Sequence, residues 1–217
     1  MDADTCIVCG ATATHRDAQT GATLCMLHAR IEVVGPRPAR RGQRALPQLA
    51  IRDLTPDDQP ALRDILLAFW GKTANMLSFG RTYNLLEQPG IGAFAATPTG
   101  EELAGVLLWT TFEGRGLVLD LSIWPRYQGS GVASQLLALF EERLRSQGIS
   151  EVILTTTNDN VPALEFYFQH GFVIERVLPG EIARHHTASS EENVGFAGVE
   201  VRDEVQLVKR LRALRAT

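Results

Sequence analysis

One junction constrains the fold of this chain more than any other. Residues 117–124 read as a strand, which runs through Pro125-Arg126-Tyr127 into Gln128-Gly129-Ser130-Gly131-Val132-Ala133, where a helical pattern takes over. The N–H groups of a first helical turn have no partner within the helix, and the helix dipole adds partial positive charge there. Gly129 and Gly131 lack a Cβ, so a bulky anion can approach the backbone, and successive N–H groups can form a nest around it. Ala133 keeps the next turn clear. Two familiar phosphate loops fit less well. In a dinucleotide fingerprint the third glycine position would be Ser134 here, and residues 125–128 separate the strand from the loop. A Walker loop needs Gly-Lys-Ser/Thr, which is absent. A glycine-rich helix cap with no ligand is the remaining alternative.

The pattern around this junction is that of one α/β domain over residues 48–217. Residues 49–54 form a strand candidate. Thr55 and Pro56 look like the cap and first position of a helix whose buried face is Leu62, Ile65, Leu66, Phe69 and Trp70. Residues 71–89 read as a short helix and loops. Strands follow at 92–96, 102–112 and 117–124, the last two joined by Glu113-Gly114-Arg115-Gly116 as a hairpin. A helix over 129–147 carries Val132, Leu136, Leu139, Phe140 and Leu144 on one stripe and stops at Gly148. A strand (151–155), a helix (161–170) and a strand (172–178) come next. A polar stretch precedes a last strand in which Val199, Val201, Val205 and Leu207 alternate. This order implies a mixed sheet covered by helices.

In the 161–170 helix, Asn160 can cap, Pro162 fits the first turn, Tyr167 lies about two turns in, and Gly171-Phe172 ends the helix on a buried strand. Leu164, Tyr167 and Phe168 are also readable as a plain apolar face. Taken together, the two segments carry more. Gln128–Ala133 fits Gln/Arg-x-x-Gly-x-Gly/Ala with Ile123-Trp124-Pro125 leading in, and about thirty residues later comes Asn-x-x-Ala-x-x-x-Tyr with Gly-Phe. This order and spacing resembles the GNAT superfamily of acetyl-CoA-dependent N-acetyltransferases, over roughly residues 48–212.

The resemblance implies a mixed, splayed β-sheet flanked by helices. It implies that the backbone of Leu121, Ser122 and Ile123 holds the pantetheine arm of acetyl-CoA, with a bulge there splaying the sheet. Gln128, Gly129, Ser130, Gly131, Val132 and Ala133 would hold the pyrophosphate, Asn160 would touch the cofactor and Tyr167 would face its sulfur. The expected reaction is direct attack of a primary amine on the thioester, with Tyr167 protonating the leaving thiolate. The general base is open among Asp120, Glu113, His185 and His186. Acceptor choice is expected from residues 71–89, with Lys72, Asn75, Arg81 and Tyr83, and from 179–198, with Glu181, Arg184, His185, His186, Glu191 and Glu192. The acceptor itself, small molecule or protein, stays open beyond "amine".

Residues 1–34 hold all three cysteines. Cys6-x-x-Cys9 and Cys25-x-x-His28 are two pairs of ligand spacing, a Cys₃His set able to close a tetrahedron around structural Zn²⁺, with His15 as a substitute ligand. So short a segment needs metal to fold. A reduced tail or a Cys6/Cys9 redox pair are the alternatives. The roles open to this module are recruitment of a protein or nucleic acid, stabilisation of a homodimer, and cover for the substrate channel. A zinc adaptor that binds acyl-CoA without turnover is the rival function. Residues 35–47, with three prolines and four arginines, read as an extended, solvated linker, with arginines contacting RNA or an acidic partner as the alternative.

A net charge of -4 gives no general case for nucleic-acid binding. No apolar run approaches the roughly 20 residues that span a bilayer, and the acidic start Met1-Asp2-Ala3-Asp4 is not a secretory signal. A cytoplasmic protein is the expectation.

Overall fold

The computed structural model describes residues 49–70, 74–98, 100–185, 195 and 198–212, and the backbone of 15–16 and 23–24. In the N-terminal segment β1 (His15–Arg16) pairs antiparallel with β2 (Thr23–Leu24). Cys6, Cys9, Cys25 and His28 lie outside the described residues. Among the described residues no group of three or more His, Cys, Asp or Glu is placed to hold a metal ion.

The large domain begins with β3 (Leu49–Asp53), followed by α1 (Gln59–Trp70), β4 (Asn75–Ser78), β5 (Arg81–Asn84), β6 (Gly90–Thr97), β7 (Gly100–Phe112) and β8 (Arg115–Ile123). Then come α2 (Val132–Ser146), β9 (Glu151–Thr157), α3 (Val161–Gln169), β10 (Val173–Leu178), α4 (Glu181–His185) and β11 (Glu204–Arg210). Seven strands form one sheet in the order β10-β11-β9-β8-β7-β6-β3. Every neighbouring pair is antiparallel except β8 and β9, which α2 connects. A parallel pair needs such a crossover, and the helix covers one face in making it.

Each face of the sheet carries its own core. On one side α2 and α3 bury Leu136, Phe140, Leu144 and Tyr167 against Val118, Leu154 and Leu207. Phe140 is fully buried with its ring 5.3 Å from that of Trp109, which stabilises the fold by roughly 2–3 kcal/mol. On the other side α1 buries Leu62, Ile65 and Leu66, and the β4–β5 hairpin adds Met76, over Leu108, Leu117, Leu119 and Ile153. Thr55 and Pro56 open α1 through one 3-10 turn, in which the Asp58 carboxylate accepts the Thr55 N–H at 2.7 Å. Asp58 also takes both arms of Arg52, at 2.7 and 2.9 Å, and these bonds hold its carboxyl far below the usual carboxylate range.

Three expectations need correction. Residues 71–89 hold a hairpin, β4–β5, where a short helix was expected. Phe79 and Gly80 turn it with φ of 48° and 71°, and alternation buries Met76 and Ser78. The helix expected from residue 129 begins at Val132, because Gly129 and Gly131 sit at φ 71° and 86°, outside helical space. The last strand runs 204–210 rather than 199–207. Asn158 Oδ1 takes the N–H groups of Arg202 and Asp203 at 2.9 and 2.8 Å, so the chain enters the sheet only after that turn. Val205 and Leu207 keep the expected inward phase, while Val199 is exposed. No helix among the described residues is long and apolar enough to cross a membrane.

Candidate active site

β8 and β9 are joined only at Gly116↔Val152, Leu117↔Ile153 and Val118↔Leu154. Beyond that point β8 stays with β7, Ser122 opposite Val106 and Ile123 opposite Gly105, while β9 stays with β11, Thr155 opposite Gln206 and Thr157 opposite Glu204. The sheet therefore forks. The cause is a bulge in β8: Leu108 faces Asp120 and Trp109 faces Val118, which leaves Leu119 as the extra residue. A bulge bends and further twists its strand. Leu121, Ser122 and Ile123 line the β8 side of the fork, where among the described residues no strand pairs with their β9-facing edge. The bulge sits just before these residues rather than among them, as the resemblance had implied.

The glycine loop lies where β8 leaves the fork. Pro125–Tyr127 makes one 3-10 turn, and Gly131 is the N-cap of α2, with no side chain bonding the first turn. A Cβ on Gly129 or Gly131 would meet nothing within 4 Å, so the space beside both glycines is open. The loop is tied down from outside. Gln128 Nε2 donates to Ile123 O at 2.9 Å, and the Ser130 hydroxyl donates to Tyr127 O. Arg126 donates to Glu102 at 2.6 Å, and the Tyr127 hydroxyl donates to the same carboxylate. That bond to Glu102, with partial burial, raises the Tyr127 phenol above its ordinary value. Val132 is buried and anchors α2, and Ala133 packs beside the same core.

On the opposite side of the fork, Asn160 caps α3, accepting from Ala163 N at 3.4 Å. Tyr167 is buried between Phe166 and Phe172, ring centroids 5.3 and 5.2 Å away in edge contacts. Its hydroxyl makes no hydrogen bond among the described residues. Burial chiefly, and then the negative charge of Asp120, push its acidity down: the phenol titrates well above the ordinary value of about 10.

Asp120 is 5% exposed. Its Oδ1 accepts the Trp70 indole N–H at 2.8 Å and the Ser122 hydroxyl at 2.7 Å. Of the other groups considered as base, Glu113 sits in the exposed β7–β8 turn at φ 52°, His185 ends α4, and His186 is outside the described residues. Lys72, Glu191 and Glu192 are outside them too. The two segments expected to set acceptor choice do meet. The β4–β5 hairpin and α4 border an open groove of about 500 Å³ lined by Leu77, Phe79, Glu113, Glu181 and Glu204. Next to it the Ser78 and Thr155 hydroxyls lie 3.0 Å apart and join the hairpin to β9.

Sequence reasoning missed two residues here. Trp70 had the spacing of a core residue, yet it is 39% exposed and works as a hydrogen-bond donor. His170 joins the two helices flanking the fork: Nδ1 donates to Phe166 O at 2.7 Å, and Nε2 shares a hydrogen bond with the Ser134 hydroxyl at 2.8 Å. The only trace of either in the sequence is a polar atom on an otherwise apolar helical face.

A forked mixed sheet, an open glycine loop at a helix start and a buried tyrosine across the fork are the features of a group-transfer cleft. The chain belongs to the acetyltransferase (GNAT) family, whose pattern it matches over residues 59–172. It is 27% identical over 155 residues to the uncharacterized protein YxbD of Bacillus subtilis (strain 168), a match covering 69% of this chain and 94% of that protein. Among solved structures, a GNAT family acetyltransferase from Elizabethkingia anophelis with acetyl-CoA bound aligns with a TM-score of 0.58 at 16% identity, over 75% of this chain and 98% of that one. The IAA acetyltransferase from Bacillus cereus ATCC 14579 aligns with a TM-score of 0.56 at 20% identity, over 76% of this chain and 100% of that one. At these identities the two structures speak for the fold alone.

Proposed function

We propose that this protein is an N-acetyltransferase that moves an acetyl group from acetyl-CoA to a primary amine by direct attack on the thioester. The observation that carries this reading is the fork itself, with the open loop at Gly129 and Gly131 on one side and Tyr167 on the other, beside a buried carboxylate. Backbone groups of Leu121–Ile123 pair with the pantetheine arm as an added strand would. The loop from Gln128 to Ala133 takes the pyrophosphate, with Asn160 at the far wall. That the Elizabethkingia anophelis protein of this fold was solved with acetyl-CoA bound supports the choice of donor.

Asp120 is the base in this scheme. It takes a proton from the acceptor ammonium, directly or through one water, and the neutral nitrogen attacks the carbonyl carbon. The C–N bond forms, the C–S bond breaks with its electron pair going to sulfur, and Tyr167 protonates the thiolate. Attack leaves the nitrogen with one proton more than the amide carries, and that proton leaves to solvent as the adduct collapses. The proton first taken by Asp120 passes to the tyrosinate and restores both groups, so ammonium and thioester give amide, thiol and one released proton. The two steps assist each other. The Asp120 charge weakens the Tyr167 acid, so once Asp120 is protonated that repulsion disappears and Tyr167 can release its proton as the thiolate departs. The groove between the β4–β5 hairpin and α4 supports an acceptor entering from the α1 face.

A panel of primary amines assayed for thiol release from acetyl-CoA tests the reading. Amine-dependent release is expected for at least one class. Acetyl-CoA binding without release across small amines and peptide N-termini would sink it and leave an acyl-CoA-binding adaptor. The N-terminal segment is proposed to hold structural Zn²⁺ through Cys6, Cys9, Cys25 and His28, a donor set of three thiolates and one imidazole that suits that ion. The β1–β2 hairpin doubles the chain back between the two ligand pairs, which supports a closed site.

A further inference from the structure

Trp70 departs from the rest of the α1 stripe. Leu62, Ile65 and Leu66 are at most 2% exposed, whereas Trp70 at the end of the helix is 39% exposed. A residue so open contributes little core, yet its indole N–H crosses fifty positions of sequence to reach Asp120 Oδ1 at 2.8 Å. The Ser122 hydroxyl donates to the same oxygen at 2.7 Å. Indole is a donor only, so this bond runs in one direction whatever the surroundings. Two donors arriving from different elements, one from α1 and one from β8 itself, fix the rotation of the carboxylate about its last torsion. With Oδ1 held, the direction in which Oδ2 points is set too.

We propose that Trp70 is a positioning residue for acyl transfer: it orients the Asp120 carboxylate toward the acceptor amine and so couples the end of α1 to the chemistry. This rests on the reading of Asp120 as base. The Leu119 bulge is what makes the contact attainable. Strict alternation would set residue 120 on the face opposite Leu119, but the extra residue in β8 lets both Leu119 and Asp120 serve the α1 side. Phenylalanine at position 70 would keep an aromatic ring at the helix end and remove only the donor.

The test is a double-mutant cycle in the full-length protein, using an amine that the wild type acetylates and comparing Trp70→Phe, Asp120→Asn and both together. Trp70→Phe is expected to lower kcat by about tenfold or more, as loss of a hydrogen bond to a charged group does, with KM and Kd for acetyl-CoA unchanged. Added to Asp120→Asn it should cost less than about twofold, because the carboxylate it orients is already gone. Ser122→Ala, which removes the other donor from a strand still paired with Val106, should lower kcat in the same sense. An equal loss from Trp70→Phe in both backgrounds, or a wild-type kcat in both Trp70→Phe and Ser122→Ala, overturns the proposal. A wild type that acetylates no amine overturns the acetyl-transfer reading instead, so the two failures are distinguishable.

Discussion

Replacing Tyr167 with Phe removes one oxygen from a ring whose packing the substitution preserves. The edge contacts with Phe166 and Phe172, at 5.3 and 5.2 Å, involve ring carbons that phenylalanine keeps. The hydroxyl makes no hydrogen bond among the described residues, so the stability change should stay within about 1 kcal/mol. Its loss from the chemistry should be much larger. A positioned acid is worth roughly 10²–10⁴ in rate, and about 10² is the conservative expectation, or ~2.7 kcal/mol of barrier. The sulfur of bound acetyl-CoA is neutral until the C–S bond breaks, so its ground-state affinity should be unaffected. Thiol release gives kcat, and calorimetric titration with acetyl-CoA gives Kd. The pH behaviour follows from burial and the neighbouring Asp120 charge, which raise the phenol above its ordinary value. A raised folded value means that the stabilisation is full below about pH 10, where a free tyrosine titrates, and is lost as pH climbs toward the folded value. Wild type should therefore lose more stability than Tyr167→Phe above about pH 10. A kcat within twofold of wild type, or a fall in acetyl-CoA affinity matching the fall in kcat, would refute the assignment of Tyr167 as the acid.

Gly131→Ala should cost about 1 kcal/mol from its left-handed backbone alone, since a Cβ there meets nothing within 4 Å. The same strain should tilt the first N–H groups of α2 and weaken acetyl-CoA binding several-fold by calorimetry, and an unchanged Kd would remove the loop from the binding site. Asp58→Asn should destabilise by about 1–2 kcal/mol near neutral pH, a figure held down because its partner Arg52 is 40% exposed. The folded Asp58 carboxyl is lowered, so its stabilisation is present above the unfolded value of about 3.9 and fades as pH falls through the folded one. Urea midpoints of wild type and variant should accordingly converge in acid. Protein purified without chelator should carry near-stoichiometric zinc by mass spectrometry, and Cys25→Ser should release it; no zinc in the wild type rules out the Cys₃His site.

What the sequence made legible was whatever backbone conformation demands of residue type. Gly129 and Gly131 occupy left-handed positions that side chains rarely adopt, so the loop was readable from composition and place alone. Asn160 and Pro162 marked the start of α3, and Gly171 at φ 83° its end, for the same reason. The β4–β5 hairpin was hidden because Phe79 takes φ 48° where a glycine or asparagine would have announced the turn. The start of the last strand is hidden because it depends on a tertiary bond, from Asn158 to the backbone 44 and 45 positions on.

The arrangement around the reacting atoms was illegible for a deeper reason. Period-two counting assumes an unbroken strand, and β8 is broken by one residue just where the sheet forks. Counting from Leu117 and Leu119 sends Asp120 to the α2 face, and only the bulge at Leu119 returns it to the side where Trp70 waits. The same extra residue opens the fork between β8 and β9. One local irregularity thus sits where the sheet forks and sets the Asp120 carboxylate on the side of Trp70. It follows that shifting the bulge would remove the two together. Deleting Leu119 should restore regular pairing between β7 and β8, turn Asp120 away from Trp70 and abolish both acetyl-CoA binding and the Trp70 bond. Substituting Leu119 by Val, which keeps the residue count, should spare both. A deletion variant that still binds acetyl-CoA with wild-type affinity would show that the fork has another cause.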